Sequence, residues 1–314
     1  MKVVFVIPVF NDWNSLKILS EQIKETAVKE KWNEAELVIV NDGSTQELEI
    51  SPKPFALKST VLNLISNQGN QRAITIGLSY INDHIEDYDY IIILDADGED
   101  KPSDAVRLIE EAKKNEMKKI IFSIRAKRNE GPFYIFFYTI YKILFKLLTG
   151  QEINIGHFSC IPKKVLKRVL SVSGIWTHYC AALARSKLPF ATVACNKGQR
   201  IIGVTNQSKN MLLFHGLASM AVYMEIIALR FLVFSIAGMF LVAICIILVF
   251  YFKLTGLILV SNWATSVIIG LAIIFIVFLL LCFFSLSQLL NKNLNPIFPS
   301  TNTYKHFILN EIKI

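Results

Sequence analysis

Cysteine is scarce in this 314-residue chain: there are five, Cys160, Cys180, Cys195, Cys245 and Cys282. They are odd in number and isolated, with no CxxC pair, and the last two sit inside apolar stretches. Neither a disulfide framework nor a zinc site is indicated, and a reducing cytosolic setting fits best. The five histidines form no HxxxH or HExxH pattern. No RNA- or DNA-binding motif is present, so no nucleic-acid partner is expected despite the formal charge of +8. A leader is not expected either, because the apolar start MKVVFVIPVFNDW is interrupted by Pro8, stops at Asn11 and is followed by no small-residue cleavage site. Internal repeats and low-complexity linkers are lacking as well.

The most informative deficit is of charge. Between Phe231 and Asn291 only Lys253 is charged, whereas residues 1–130 read as an ordinary soluble α/β sequence. Two long apolar stretches, 231–252 and 263–286, reach about 33–36 Å as helices, enough for a hydrocarbon core of roughly 30 Å. The sequence thus predicts a transmembrane hairpin over 231–290. Arg230, Lys292, Lys305 and Lys313 flank its outer ends, against Lys253 alone in the connection. That bias places the N-terminal domain and a tail, 291–314, in the cytoplasm. The basic excess then suits anionic lipid or a phosphate-bearing substrate. Pro132–Leu148 is short for a span, aromatic-rich and charged only at Lys142 and Lys146. It predicts an interfacial helix, with a core helix as the competing reading. A juxtamembrane helix is expected over 208–230.

In the first part of the chain, apolar β-rich runs at Lys2–Val9, Ala35–Val40, Val61–Ser66, Tyr90–Leu94 and Lys119–Ser123 alternate with helical spacing. Helices are expected over Leu16–Lys29, Gln71–Ile85 and from Pro102 to about Lys114, proline being tolerated in a first turn. Such alternation implies βαβ units and a mainly parallel sheet, whose ligands bind at the carboxyl ends of strands. Asn11, Asp42, Asp95, Asp97 and Arg125 all lie just beyond a strand. Asp95-Ala96-Asp97 places two carboxylates at such an end, able to share one hard cation and the phosphates it bridges, with Glu99 as a third ligand. Taken singly, Asp42-Gly43-Ser44 reads as a tight turn, Arg125 and Arg128 as a solvated loop, and His157 as a structural histidine. Their joint order is harder to explain that way.

The blocks Val6–Asn11, Val40–Thr45, Asn67–Ala73 and Asp95–Pro102, with looser matches at Arg125–Arg128 and Gly156–Phe158, resemble glycosyltransferase family 2, in the branch acting on dolichol and polyprenyl phosphates. The motifs cover about residues 1–215. The resemblance implies a GT-A nucleotide-binding domain over 1–207, a nucleotide-sugar donor, a polyprenyl phosphate acceptor, and Mg²⁺ or Mn²⁺ as cofactor. Pro8, Val9, Asn11, Asp42, Asn67 and Gly69 would form the nucleotide pocket together with Asp95. Asp95, Asp97 and Glu99 would hold the metal. Arg125 and Arg128 would meet the acceptor phosphate, a task suited to guanidinium groups, and Asp97 and His157 would stand at the reacting centre. Arg200, Ser208 and Lys209 occupy the place of a basic element before the membrane. The chain departs from the family pattern at Asp12, Asn41, Glu99, Ser123 and His157, where Glu, Asp, Gln, Gly and Asp or Asn are frequent.

A hydroxyl acceptor needs a carboxylate base, whereas a phosphate monoester is mostly dianionic at neutral pH and needs cationic positioning. No Glu-Asp pair lies around Gly156, which favours the phosphate acceptor and inversion at the anomeric carbon. Transfer to a hydroxyl of a lipid-linked saccharide and a non-catalytic membrane scaffold remain the alternatives. A processive synthase is disfavoured, since Gln199-Arg200 is not followed by Trp and only two spans are present. A homo-oligomer is left open.

Overall fold

The computed structural model describes residues 1–48, 54–125, 132–152, 154–196, 198–203, 209–256, 263–294 and 302–314. The chain divides into two compact units, one of residues 1–141, 152–222 and 298–314, the other of 142–151 and 223–297.

The first unit begins with β1 (Lys2–Val9), α1 (Trp13–Lys29), β2 (Glu34–Asn41), β3 (Lys58–Leu64) and α2 (Asn70–His84). Next come β4 (Tyr90–Ile93), α3 (Pro102–Lys114), β5 (Ile120–Arg125), α4 (Pro132–Thr149, which passes into the second unit at Lys142), β6 (Ile155–Pro162), α5 (Lys163–Leu170), α6 (Tyr179–Arg185), β7 (Phe190–Cys195) and α7 (Lys209–Ala221). With β8 (Ile308–Lys313), eight strands form one sheet in the order β7-β5-β6-β4-β1-β2-β3-β8. Strand β1 is central and pairs in parallel with β2 and β4. Buried on both faces, it is apolar from Val3 to Val9, as such a strand must be. Helix α1 lays Leu16, Leu19, Ile23 and Ala27 on the core, the spacing that a helix with one buried face requires. Helix α3 carries Pro102 and Asp104 in its first turn and Lys113 and Lys114 in its last, each favourable at that end of the dipole. Helix α2 crosses the sheet closely at Gly77, where a Cβ would stand 2.7 Å from Val6 Cγ1.

The mainly parallel sheet expected from the sequence is present, with two antiparallel members. Strand β6 runs antiparallel to β4 and β5. Strand β8 (Ile308–Lys313) runs antiparallel to β3 and closes that edge. The segment 291–314 is therefore not simply a tail: its last residues are part of the sheet of the first unit. Tyr304, 1% exposed, anchors this return by donating from its hydroxyl to Asp83 Oδ2 at 2.9 Å.

In the second unit, α8 (Met224–Thr255) and α9 (Trp263–Leu294) are 32 residues each. They are long and apolar enough to cross a membrane, with an 18-residue window of mean hydropathy 3.0 within Met224–Thr255 and 3.4 within Trp263–Asn291, and mostly exposed. Phe234 and Phe278 meet edge to face between them. Helix α8 begins seven residues before the apolar stretch that starts at Phe231 and includes Arg230, which donates to the carbonyl of Leu147. The expected juxtamembrane segment 208–230 is thus divided between α7 and the start of α8. Helix α4 covers the expected interfacial segment and exposes Ile140, Ile143, Leu144 and Leu147 along one face.

Candidate active site

Parallel strands end at one edge of the sheet, and the turns that leave β1, β2, β3 and β4 meet there. After Pro8 and Val9 the backbone turns sharply at Asn11, whose φ is +54°. Asn11 Oδ1 accepts from the backbone N–H groups of Thr45 and Gln46 at 2.9 and 3.1 Å, tying the β1 turn to the β2 turn. Asp42, 4% exposed, accepts from the N–H groups of Gln68 at 2.6 Å and Gly69 at 2.9 Å, tying the β2 turn to the β3 turn. Asn67 Oδ1 also accepts from Gly69 N–H at 3.2 Å. Gly69 precedes α2 with φ +83° and ψ 151°, a region essentially confined to glycine. A Cβ at Gly69 would meet nothing within 4 Å, so backbone conformation rather than crowding selects the residue.

The next turn carries the carboxylates. Asp95 Oδ1 accepts from Asn70 Nδ2 at 3.0 Å, and Asp95 Oδ2 lies 2.7 Å from His157 Nε2. The antiparallel register explains the second contact. Ile93 on β4 faces Ser159 on β6, so Asp95, two residues after Ile93, comes opposite His157, two residues before Ser159. Asp97 Oδ1 accepts from Glu99 N–H at 3.0 Å, and its other oxygen receives Arg200 Nη1 at 3.2 Å. Arg200 also pairs with Asp12. The segment carrying Arg200 is held on this turn by Gly198 N–H to the Glu99 carbonyl at 2.7 Å and Ile201 N–H to the Asp97 carbonyl at 3.0 Å.

Ligand atoms of Asp95, Asp100 and His157 lie within 4.8 Å of one another. Two carboxylates and an imidazole are a donor set that a hard divalent cation accepts, and the imidazole suits Mn²⁺ better than Mg²⁺. The sequence pointed to Asp95, Asp97 and Glu99 instead. Asp95 is common to both sets, while the Asp97 carboxylate is turned toward Arg200. Arg125 ends β5 at the same sheet edge, since β6 is antiparallel to both β4 and β5. Its side chain, and all of Arg128 and Ser208, lie outside the described residues.

Two further histidines approach this region and were not legible as a pair in the sequence. His178 Nδ1 accepts from Ala181 N–H at the start of α6, and its Nε2 lies 3.2 Å from His215 Nε2 on α7. Burial, then the proximity of His215 and His157, pushes His178 down to about 3, so it is neutral at physiological pH.

Asp42 and Asp97 are both pushed up to about 6. Burial is the main cause in each. The N–H groups of Gln68 and Gly69 partly offset it at Asp42, and the like charge of Asp95 adds to it at Asp97. A carboxyl raised above its unfolded value binds its proton more tightly in the folded state. The buried charges therefore cost stability above pH 6, and that cost is relieved as pH falls toward 4. For these two groups alone the melting temperature rises as pH is lowered from 7 to 5, and Asp42→Asn removes about half of that slope. Thermal melts of the wild type and variant across this range check it, and an unchanged slope would count against a raised Asp42.

The sequence profile of glycosyl transferase family 2 matches residues 4–170, more than half of the chain. An uncharacterised glycosyltransferase of Bacillus subtilis, YkcC, is 29% identical over 168 residues, 51% of this chain and 49% of that protein. The undecaprenyl-phosphate 4-deoxy-4-formamido-L-arabinose transferase of Photorhabdus laumondii is 28% identical over 174 residues, 54% of this chain and 50% of that protein. The chain thus spans about half the length of the curated relatives it matches. Glucosyl-3-phosphoglycerate synthase of Mycobacterium tuberculosis shares the GT-A-like α/β fold, with a TM-score of 0.52 at 15% identity, over 72% of this chain and 79% of that one. Another structure of that synthase, with Mn²⁺ and UDP-glucose, gives a TM-score of 0.51 at 13% identity over the same shares. With four strand-end turns knit together around Asp42 and Asp95, and the profile matching from residue 4 in β1 to the end of α5, the chain belongs to glycosyl transferase family 2.

Proposed function

We propose that this enzyme transfers a sugar from a UDP- or GDP-linked donor to a polyprenyl phosphate, with inversion, at the cytoplasmic face of a membrane. The observation that carries the reading is the meeting of Asp95, Asp100 and His157 beside the Asp42 turns at one sheet edge. Pro8, Val9, Asn11, Asp42, Asn67 and Gly69 frame a nucleoside pocket, and the Asp95 cluster lies where a diphosphate would leave it. Asp95, Asp100 and His157 would hold Mn²⁺ or Mg²⁺, with Asp97 and Glu99 on the same turn. When bound, such an ion neutralises charge growing on the leaving diphosphate. His157 already engages Asp95, a placement that suits ligation more than proton abstraction from an acceptor. That is consistent with an acceptor needing no base, since a phosphate monoester is already mostly dianionic. Arg125, at the same edge, and Arg128 are assigned to the acceptor phosphate. The relatives named as undecaprenyl-phosphate transferases support a lipid phosphate. So do two exposed apolar helices and the apolar face of α4, which suit a protein held at a membrane, where a lipid phosphate resides.

The test is direct. Membranes containing the protein are incubated with labelled UDP- and GDP-sugars and polyprenyl phosphate. A chloroform-soluble product released by mild acid is expected. Label appearing only on a hydroxyl-bearing glycolipid would overturn the proposed acceptor.

A further inference from the structure

Three asparagines stand in register on adjacent strands. Asn41 on β2 faces Asn63 on β3, and Asn63 faces Asn310 on β8. Their side chains form a ladder: Asn41 Nδ2 donates to Asn63 Oδ1 at 2.7 Å, and Asn63 Nδ2 donates to Asn310 Oδ1 at 2.6 Å. The ladder does not stop at the strand. Asn41 Oδ1 accepts from Ser44 N–H at 3.0 Å, and Ser44 Oγ accepts from Asn11 N–H at 3.0 Å. A continuous series of hydrogen bonds thus runs from the last strand of the chain into the turns that hold Asn11 and Asp42.

The far end of the ladder is fixed. Ser59 and Ile314 exchange both backbone hydrogen bonds, at 2.9 and 2.8 Å. Glu311, next to Asn310, accepts from Tyr80 on α2 at 2.8 Å. An amide is suited to each rung because it donates and accepts at once. A terminal position asks for less: residue 310 needs only an acceptor.

We infer that Asn63 and Asn310 are positioning residues for the donor nucleotide, acting through Asn41 on the Asp42–Gln46 turn. The strand that follows the membrane hairpin thereby sets the shape of the donor pocket. This rests on the reading of that edge as the donor site, which the experiment separates from the ladder itself.

Full-length protein in nanodiscs is titrated with UDP and with GDP, each with Mn²⁺, and amide hydrogen exchange is followed over residues 41–48 and over β4. For Asn63→Leu and Asn310→Leu, exchange over 41–48 rises while β4 stays protected. The affinity for the nucleotide that the wild type binds falls roughly three- to tenfold, the effect of one or two hydrogen bonds. In transfer assays the loss falls on the donor KM and not on kcat. Asn310→Asp, which still accepts from Asn63, matches the wild type. Unchanged exchange over 41–48 in both leucine variants overturns the inference, as does an equal rise over β4, which would make the ladder a general brace. A wild type that binds neither UDP nor GDP would refute the donor-site reading, and the exchange measurement would still decide the ladder.

Discussion

Asp95→Asn is expected to lower sugar transfer by about 10²–10³-fold, the usual cost of removing a group that stabilises developing charge in a transition state. Asp95 is the residue on which every arrangement of this site depends. One of its oxygens takes Asn70 Nδ2, the other faces His157, and its carboxylate belongs to the only three-residue group of metal-ligand type among the described residues. Substitution by asparagine keeps the shape and removes one anionic oxygen, so the protein should fold and melt close to the wild type. The neighbouring carboxylates then decide which ligand set is used. If Asp95, Asp100 and His157 hold the ion, Asp100→Asn weakens Mn²⁺ binding, followed by electron paramagnetic resonance, more than Glu99→Gln does. The reverse order would favour the alternating set Asp95, Asp97 and Glu99. Full transfer activity in Asp95→Asn would sink both.

Arg200 adds a consequence to the same site. In this structure it shares Asp97 and Asp12 across two ion pairs, so a cation already faces one carboxylate of the motif. A bound metal near Asp97 would weaken that attraction and leave the guanidinium able to turn toward donor phosphates, the geometry for which arginine is best suited.

Much of this was legible in the sequence, for identifiable reasons. Strands buried on both faces must be continuously apolar, so β1 and β2 stand out, and polar residues directly after such runs mark the strand ends where ligands bind. That logic singles out Asn11, Asp42 and Asp95 as strand-end residues, and the structure places them in neighbouring turns. Strand β8 was missed because an edge strand has only one neighbour and one face to satisfy. Ile308–Lys313 mixes Ile308 and Ile312 with Asn310, Glu311 and Lys313 and reads as polar tail. Strand β7 was missed likewise: it alternates exposed and half-buried residues over five positions before the buried Cys195. His178 and His215 are 37 residues apart, and only the folding of α6 against α7 brings them together. Arg200 could be noticed as basic, but its ion pairs depend on a backbone pairing between residues 198–201 and 97–99 that no local pattern encodes.

Gly43→Ala should be a strongly damaging single-methyl change at the proposed donor site. Gly43 has φ +72°, and a Cβ there would stand 2.7 Å from the backbone nitrogen of Asn67 and 3.0 Å from the carbonyl carbon of Ser66. Left-handed backbone alone costs an alanine about 1–2 kcal/mol. The contact with main chain cannot be relieved by a rotamer change, so the Ser66–Gly69 turn must move. That movement draws the N–H groups of Gln68 and Gly69 away from Asp42, a carboxylate 4% exposed that depends on them. A buried charge stripped of its donors adds a penalty of about 1–3 kcal/mol. Gly203 supplies the comparison, with φ +75° and nothing within 4 Å of its Cβ position. Gly203→Ala should show only the backbone cost. Gly43→Ala should melt several degrees lower than Gly203→Ala and raise the donor KM by about ten- to a hundredfold, two decades corresponding to about 2.8 kcal/mol. Equal effects of the two substitutions would mean that the Asp42 and Asn67 turns are not clasped as the structure places them.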